Sequence, residues 1–280
     1  MPRRQDRWVG IIFFAVIHAV GLAGAPLYLW HHGISAAEGA LFTVYFFLSS
    51  LAITVGYHRL FAHVTYKTHA AIRFLLLFFG ASTFEQSALK WASQHRQHHQ
   101  FTDTDQDPYN INKGFGYAHM GWIVLWKHRV NYNNVPDLMQ SQLVMHQHRH
   151  YGLWSVASGM VLPVLAGSMI GHTAGAFILT VCLRLVLVMH SAFFINSFCH
   201  TFGTRPFDEK TSARDHWLGA LLTNGEGYHN FHHQFPNDYR NGVRWYHWDP
   251  SKWLIFILSK FRLAWDLKRT PDSLLHPVFA

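Results

Sequence analysis

The sequence predicts an all-α integral membrane protein, four transmembrane helices carrying a helical cap on the cytoplasmic side. Three observations predict it. First, residues 9–30 and 39–57 contain no charged side chain, and each run matches the roughly 20 residues that cross a bilayer. A further apolar region, 152–195, breaks at Gly171-His172-Thr173-Ala174-Gly175 into two more runs of similar length. Second, of 23 lysines and arginines only Arg184 falls inside a span, and none falls in the connections 31–38 and 171–175. The positive-inside rule therefore places both termini and the polar segments in the cytoplasm. Third, 23 histidines are present in 280 residues, and three groups of them lie outside the spans: His58 with His63, His95 with His98 and His99, and His229 with His232 and His233.

The whole chain, 1–280, is expected to form one membrane unit, with spans near 10–30, 39–57, 153–170 and 174–195 and a cap made of 58–151 and 196–280. Arg3, Arg4 and Arg7 precede the first span as in a signal peptide, but the apolar run is too long and lacks a small-residue cleavage site, so it is taken as retained. The formal charge of +8 then reads as topology and contact with anionic lipid or substrate, not as a nucleic-acid footprint. The first two spans make a hairpin that returns to the cytoplasm at His58 and His63. Residues five apart lie about 140° apart on an ideal helix, so either the helix loosens here or the two histidines serve different ions. Residues 74–84 form an apolar run too short to cross, expected in the interface or dipping in and returning. Arg184, near the middle of the fourth span, is costly in lipid and should face the bundle or a polar cavity. Asn196 and His200, four apart, leave that span on one face and point toward the cap. Near the C-terminus, 253–265 suits an interfacial helix. Cys182 and Cys199 are too few for a disulfide framework and read as packing residues.

Spacing gives the histidines their chemistry. Three imidazoles at i, i+3 and i+4 fall on one side of a helix. Crowded there they would repel if protonated, and a metal ion is the simplest partner for the neutral rings. A lone histidine such as His18, His119, His172 or His247 reads instead as a satisfied or interfacial side chain, and His146, His148 and His150 as solvated surface. The nine that converge beneath the cap are His58, His63, His95, His98, His99, His200, His229, His232 and His233. Nine nitrogens exceed one coordination sphere, so two ions with four or five each are expected, of a kind that suits imidazole: iron, zinc or copper. Structural zinc would leave half the set unexplained, whereas a pair of redox-active irons accounts for all nine. Asp103, Asp105 and Asp107 alternate as in a calcium loop, but Pro108 and Gly114 occupy positions that loop needs for Gly and Glu. These carboxylates fit better as partners of the far ring nitrogens, and Glu226 as a supporting group beside the third cluster.

With these residues in place, the chain resembles the membrane fatty acyl desaturases. The family's three boxes stand as His58-x4-His63, His95-x2-His98-His99 and His229-x2-His232-His233, with family-like stretches at 91–99, 105–110, 196–200, 205–208 and 225–236. The likeness runs from about 40 to 265 and is strongest to the Δ9 acyl-CoA branch. It implies that the nine histidines bind two irons, that Asn196 completes one shell through a water, and that a kinked tunnel presents carbons nine and ten of a saturated chain. The expected activity is O2-dependent insertion of a cis double bond. An unactivated methylene offers no acidic proton, so that step belongs to metal and dioxygen, and the protein's part is position and exclusion of water.

Candidate substrate contacts are Phe42, Phe46 and Phe47, which would close the tunnel's far end, and Lys127 and Arg129, which would meet a phosphate. The animal acyl-CoA enzymes carry an Arg-Asp pair before the second box where this chain has Ser93-Gln94. Coenzyme A is the favoured acyl carrier, with acyl carrier protein or an intact lipid as the alternatives. No haem-binding or flavin-like segment is recognised, so electrons are expected from a separate carrier and reductase. The nearest rival is a membrane di-iron hydroxylase that returns oxygen to carbon. A metal transporter should place its ligands at mid-bilayer, and a structural zinc cap does not need nine.

Overall fold

The computed structural model describes residues 4–125 and 130–275. The helices that position the site are α1 (Gly10–His32), α2 (Ala36–Ala62), α3 (Ala70–Ala81), α4 (Ala88–Phe101), α5 (Tyr151–Met169), α6 (Thr173–His200), α7 (His229–Gln234) and α8 (Pro250–Lys260). Four of them, α1, α2, α5 and α6, are long and apolar enough to cross a membrane. Their outer faces keep side chains such as Ile12, Val16, Leu27, Val44 and Leu165 exposed, as a lipid-facing surface would.

Where these helices depart from the expected spans, the reason is local. α2 starts before residue 39 because Ser35 and Glu38 form a capping box: Ser35 Oγ accepts from Glu38 N at 3.2 Å, and Glu38 Oε2 accepts from Ser35 N at 3.0 Å. The charge that marks a boundary in sequence is thus folded into the helix and buried, accepting from Tyr28 Oη at 2.6 Å. At its other end α2 runs on to Ala62 by changing its winding. Residues Ala52–Ala62 are π-helical, and the i→i+5 pattern continues with His63 N donating to His58 O at 3.0 Å. Such winding brings residues five apart nearly over one another. His58 and His63 accordingly stand with ring centroids 4.9 Å apart: the helix loosens.

Arg184 is fully buried in α6. Its guanidinium donates to Thr180 O (2.7 Å), Ser49 Oγ (3.1 Å), Ser82 O (3.0 Å) and Gly159 O (3.0 Å), so one side chain ties α6 to α2, to α5 and to the end of α3. Two apolar clusters complete the packing. One joins α2, α3, α4 and α8 through Val55, Tyr57, Leu77, Leu89 and Ile255; the other joins α1 to α6 through Ile17, Val181, Leu185 and Phe193.

α3 has 12 residues, about 18 Å, too short for a hydrocarbon core of about 30 Å. It leads through Phe84 and Gln86, both with positive φ, into α4. The single helix expected over 253–265 is corrected. α8 stops at Lys260, Arg262 takes a positive φ of 58°, and Ala264–Trp265 leave as a strand paired antiparallel with Lys67–Thr68.

Candidate metal centre

α4, α7 and the ends of α2 and α6 bring all nine histidines together. They fall into two groups: His58, His63, His95, His99 and His232 in one, and His98, His200, His229 and His233 in the other. Within each, the nitrogens facing the centre lie within 4.8 Å of one another. The H-x-x-H-H spacing explains the division. On α4 the i, i+4 pair His95 and His99 joins the first group, with Nε2 atoms 3.1 Å apart, while His98 joins the second. On α7 the pair His229 and His233, also 3.1 Å apart, joins the second, while His232 crosses to the first. Each of these two H-x-x-H-H boxes therefore gives two rings to one centre and one to its neighbour, while His58 and His63 both join the first.

The nitrogens are poised as lone pairs. A neutral imidazole has one N–H and one lone pair. His58 Nδ1 lies 2.9 Å from Glu226 Oε2, and His98 Nδ1 lies 2.9 Å from Asp107 Oδ1. His200 Nδ1 lies 2.7 Å from Ser212 Oγ, which itself donates to Asp103 Oδ1 at 2.5 Å. Each of these partners accepts, so the hydrogen sits on Nδ1 and Nε2 is bare. Bare His58 Nε2 stands 2.9 Å from His232 Nε2, bare His98 Nε2 stands 3.2 Å from His233 Nε2, and His200 Nε2 finds no hydrogen-bond partner among the described residues. Lone pairs aimed at one another repel unless a cation lies between. Separations of 2.8–3.2 Å are those of neighbouring ligands about 2.1 Å from one ion. Burial first, and then repulsion among the rings, holds His95, His99, His229, His232 and His233 well below the usual imidazole range. Neutral rings are the form that ligates. The donor set fits a pair of nitrogen-bound transition-metal ions.

The supporting shell divides the three aspartates. Asp107 is buried and accepts from His98, Tyr109 N and Asp103 N; Asp103 acts through Ser212; Asp105 is 93% exposed and pairs with Lys113. Burial would raise the Asp107 carboxyl, but the His98 ring and the backbone donors hold it below its ordinary value. Glu226 is likewise held low, against burial, by His58 and Arg59. Arg59 is absent from the sequence-based site. It is buried beside His58 and bridges Glu226 (3.0 Å) and Asp249 (2.9 Å), while Asn241 also donates to Glu226. Its position next to a box histidine was the available signal; Asp249, 190 residues away, offered none.

Against the first group lies a cavity lined by His58, His95, Asn196 and Glu226 together with apolar side chains including Phe14, Ile53, Trp122, Met189 and Phe193. A smaller one shares Ile53, Thr54, Glu85, Ala192 and Ile195 with it and reaches Ser50 and Val188. Phe42 and Phe46 are not among the lining residues of either; they stack on each other at 6.3 Å on α2, Phe46 one turn beyond Ser50. Lys127 and Arg129 lie outside the described residues.

A family model described as fatty acid desaturase matches residues 36–255. The chain belongs to the fatty acid desaturase family. Its desaturase relatives include the probable acyl-CoA desaturase of Schizosaccharomyces pombe, 45% identical over 233 residues, 82% of this chain and 49% of the relative. Acyl-CoA desaturase 1 of Saccharomyces cerevisiae is 38% identical over 93% of this chain and 53% of its own length. The human stearoyl-CoA desaturase is 32% identical over 97% of this chain and 77% of its own. The chain thus spans about half the length of the two yeast desaturases. All three boxes fall inside the matched region.

Proposed function

We propose that this desaturase-family chain inserts a cis double bond, at the Δ9 position, into a saturated fatty acyl thioester, with coenzyme A as the carrier, using two irons, dioxygen and electrons from a separate carrier and reductase. One observation carries the proposal: two adjoining groups of inward-facing imidazoles stand at the end of the spans, and a mostly apolar cavity lies against the first of them. The names of the relatives, acyl-CoA and stearoyl-CoA desaturases, support the acyl-CoA substrate, and the resemblance of the boxes to the Δ9 branch supports the position.

In this reading His58, His63, His95, His99 and His232 hold one iron and His98, His200, His229 and His233 the other, with Asn196 beside them through a water. Iron with dioxygen supplies the oxidising power that an unactivated C–H bond requires. The chain's own residues do the rest. Glu226, Asp107 and the Ser212–Asp103 pair fix the tautomers of His58, His98 and His200, and Arg59 keeps Glu226 ionised. The apolar cavity walls hold one methylene pair against the histidines and exclude water. The smaller cavity continues the path between α2 and α6, toward Phe46 and then Phe42, which would stop the methyl end. The thioester enters from the cap, where Lys127 and Arg129 would meet its phosphates. Both termini and the cap lie in the cytoplasm, in keeping with the one-sided Lys and Arg distribution.

The test is the fatty-acid profile of a host expressing this chain beside its His232→Ala variant, with double-bond positions located by mass spectrometry. Δ9 monoenes that vanish in the variant are expected. Hydroxylated chains would replace this reading with that of a hydroxylase, and an unchanged profile with protein in the membrane and an electron donor supplied would refute it.

A further inference from the structure

The two cavities meet at a carboxyl group. Of the residues that line both, Ile53, Thr54, Glu85, Ala192 and Ile195, only Glu85 can carry a charge, and a chain that runs from the larger cavity into the smaller passes it. The backbone aims it there. Phe84 and Gln86, on either side, both take a positive φ, 58° and 81°, a region that residues other than glycine seldom enter and that recurs where a ligand is held. Glu85 N donates to Thr83 Oγ1 at 3.3 Å and Gln86 N to Tyr151 Oη at 2.9 Å, so the peptide on each side of the carboxyl is fixed.

The surroundings offer a negative charge little support. Glu85 Oε1 is buried and has no hydrogen-bond partner among the described residues, and the carboxyl accepts from the indole N–H of Trp91. No lysine or arginine is among the described residues lining either cavity. The other titratable groups on the walls are His58 and His95, whose lone pairs face the metal centre, Tyr109, and Glu226, whose charge Arg59 already meets. Tyr57 and Tyr151, close enough to feel the Glu85 charge, are phenols. Arg184 in α6 ends on Ser82 O, and among the described residues neither it nor Lys90 in α4 forms an ion pair with Glu85. Burial accordingly pushes the Glu85 carboxyl up to about 8, although the Trp91 N–H favours its ionised form.

We propose that the acyl chain and a charged Glu85 exclude each other, so that the chain binds only with the Glu85 carboxyl protonated. The proposal rests on the reading that this cavity holds the acyl chain. Water in the cavity solvates a carboxylate through Oε1; methylenes packed against it remove that solvation and give nothing in return. The sign of the linkage follows. Below the midpoint of the free protein the carboxyl is already neutral and affinity does not depend on pH. Above that midpoint binding takes up a proton, and each pH unit costs about tenfold in affinity until the midpoint of the chain-bound protein is reached. Metal ions bring positive charge toward the same cavity and draw the midpoint down, which starts the fall at a lower pH and leaves its sign unchanged.

The test is calorimetric titration of stearoyl-CoA into zinc-substituted protein, which binds without turning over, between about pH 7.5 and 9, above the range where phosphate groups titrate. The Kd of wild type should rise about eightfold across that range with a midpoint at 8, and about thirtyfold with a lower one. In Glu85→Gln, neutral at every pH, it should stay flat. A flat wild-type Kd, or an equal rise in both proteins, would overturn the proposal. Titrations of wild type in two buffers of different ionisation heat count the protons without any variant: about one taken up per chain bound at about pH 9 is expected, and none would overturn the proposal whether or not Glu85→Gln folds. Because no turnover is needed, the two failures separate. Stearoyl-CoA that binds without pH dependence overturns the Glu85 linkage alone, whereas stearoyl-CoA that binds at no pH overturns the substrate reading and the linkage with it.

Discussion

Asp107→Asn should weaken metal binding while Asp105→Asn does not, although the two aspartates sit two apart in a run that looks uniform in sequence. Asp107 Oδ1 takes the His98 Nδ1 hydrogen at 2.9 Å and the Tyr109 amide at 2.9 Å, and Oδ2 takes the Asp103 amide at 3.1 Å. An asparagine has one acceptor where three donors point. Either its amide nitrogen faces Asp103 N–H, or it faces both Tyr109 N–H and the His98 Nδ1–H. In the second case His98 is pushed to the other tautomer, with a hydrogen where its lone pair should meet the metal. Losing such a partner costs about 10–100-fold in metal affinity, or about 1.4–2.8 kcal/mol. Asp105, 93% exposed and paired with Lys113 at 3.2 Å, should change affinity by less than about twofold, since exposed pairs contribute about 0–1 kcal/mol. Chelator competition on the purified protein, read as iron retained, compares the two variants directly. Equal retention in Asp107→Asn and wild type would refute the role given to Asp107.

Three further outcomes are expected. Phe46→Ala should let the cavity run on by about one helical turn, roughly 5.4 Å, and shift the monoenes of an expressing host toward longer chains; an unchanged chain-length distribution would remove Phe46 from the path. Arg184→Ala should lower stability by at least about 2 kcal/mol, because the buried carbonyls of Ser82 and Gly159 lose their donor, and a melting temperature equal to wild type would contradict it. Stability should also fall in acid. His95, His99, His229, His232 and His233 are held below the usual imidazole pKa, so the unfolded chain binds protons near pH 6.5 while the folded one refuses them. Their contribution is complete above about pH 6.5 and is lost as the pH drops toward the folded values, by up to about 1.4 kcal/mol per pH unit for each histidine. Unfolding midpoints in detergent at about pH 7.5 and 5.5 check the sign, and a midpoint that does not fall would refute it.

The spans and the nine histidines were legible in sequence because both signals are local: charge-free runs and i, i+3, i+4 spacing. What was not legible came from distance or from winding. The partner of Arg59 lies at Asp249, and the partner of His200 is Ser212, itself held by Asp103, so the tautomers are set by contacts that no local pattern announces. The distribution of His98 and His232 to the opposite group from their i, i+4 neighbours needs two helices facing each other, which spacing along one helix does not contain. His58 and His63 left two readings open because ideal helical angles were assumed, and the i→i+5 winding of Ala52–Ala62 decides between them. The helix expected over 253–265 failed at Arg262, where a left-handed residue, unmarked by Gly or Asn, turns the chain into a strand.

The central claim is that the nine histidines hold two irons, and the most direct measurement is the metal content per chain of protein purified from membranes with iron supplied, by inductively coupled plasma mass spectrometry, for wild type beside His232→Ala and His229→Ala. The account predicts two irons per wild-type chain and a loss of iron in both variants, since each removes a ligand from a different group. Wild-type protein that holds zinc in place of iron, or variants that keep the full iron content, would contradict it.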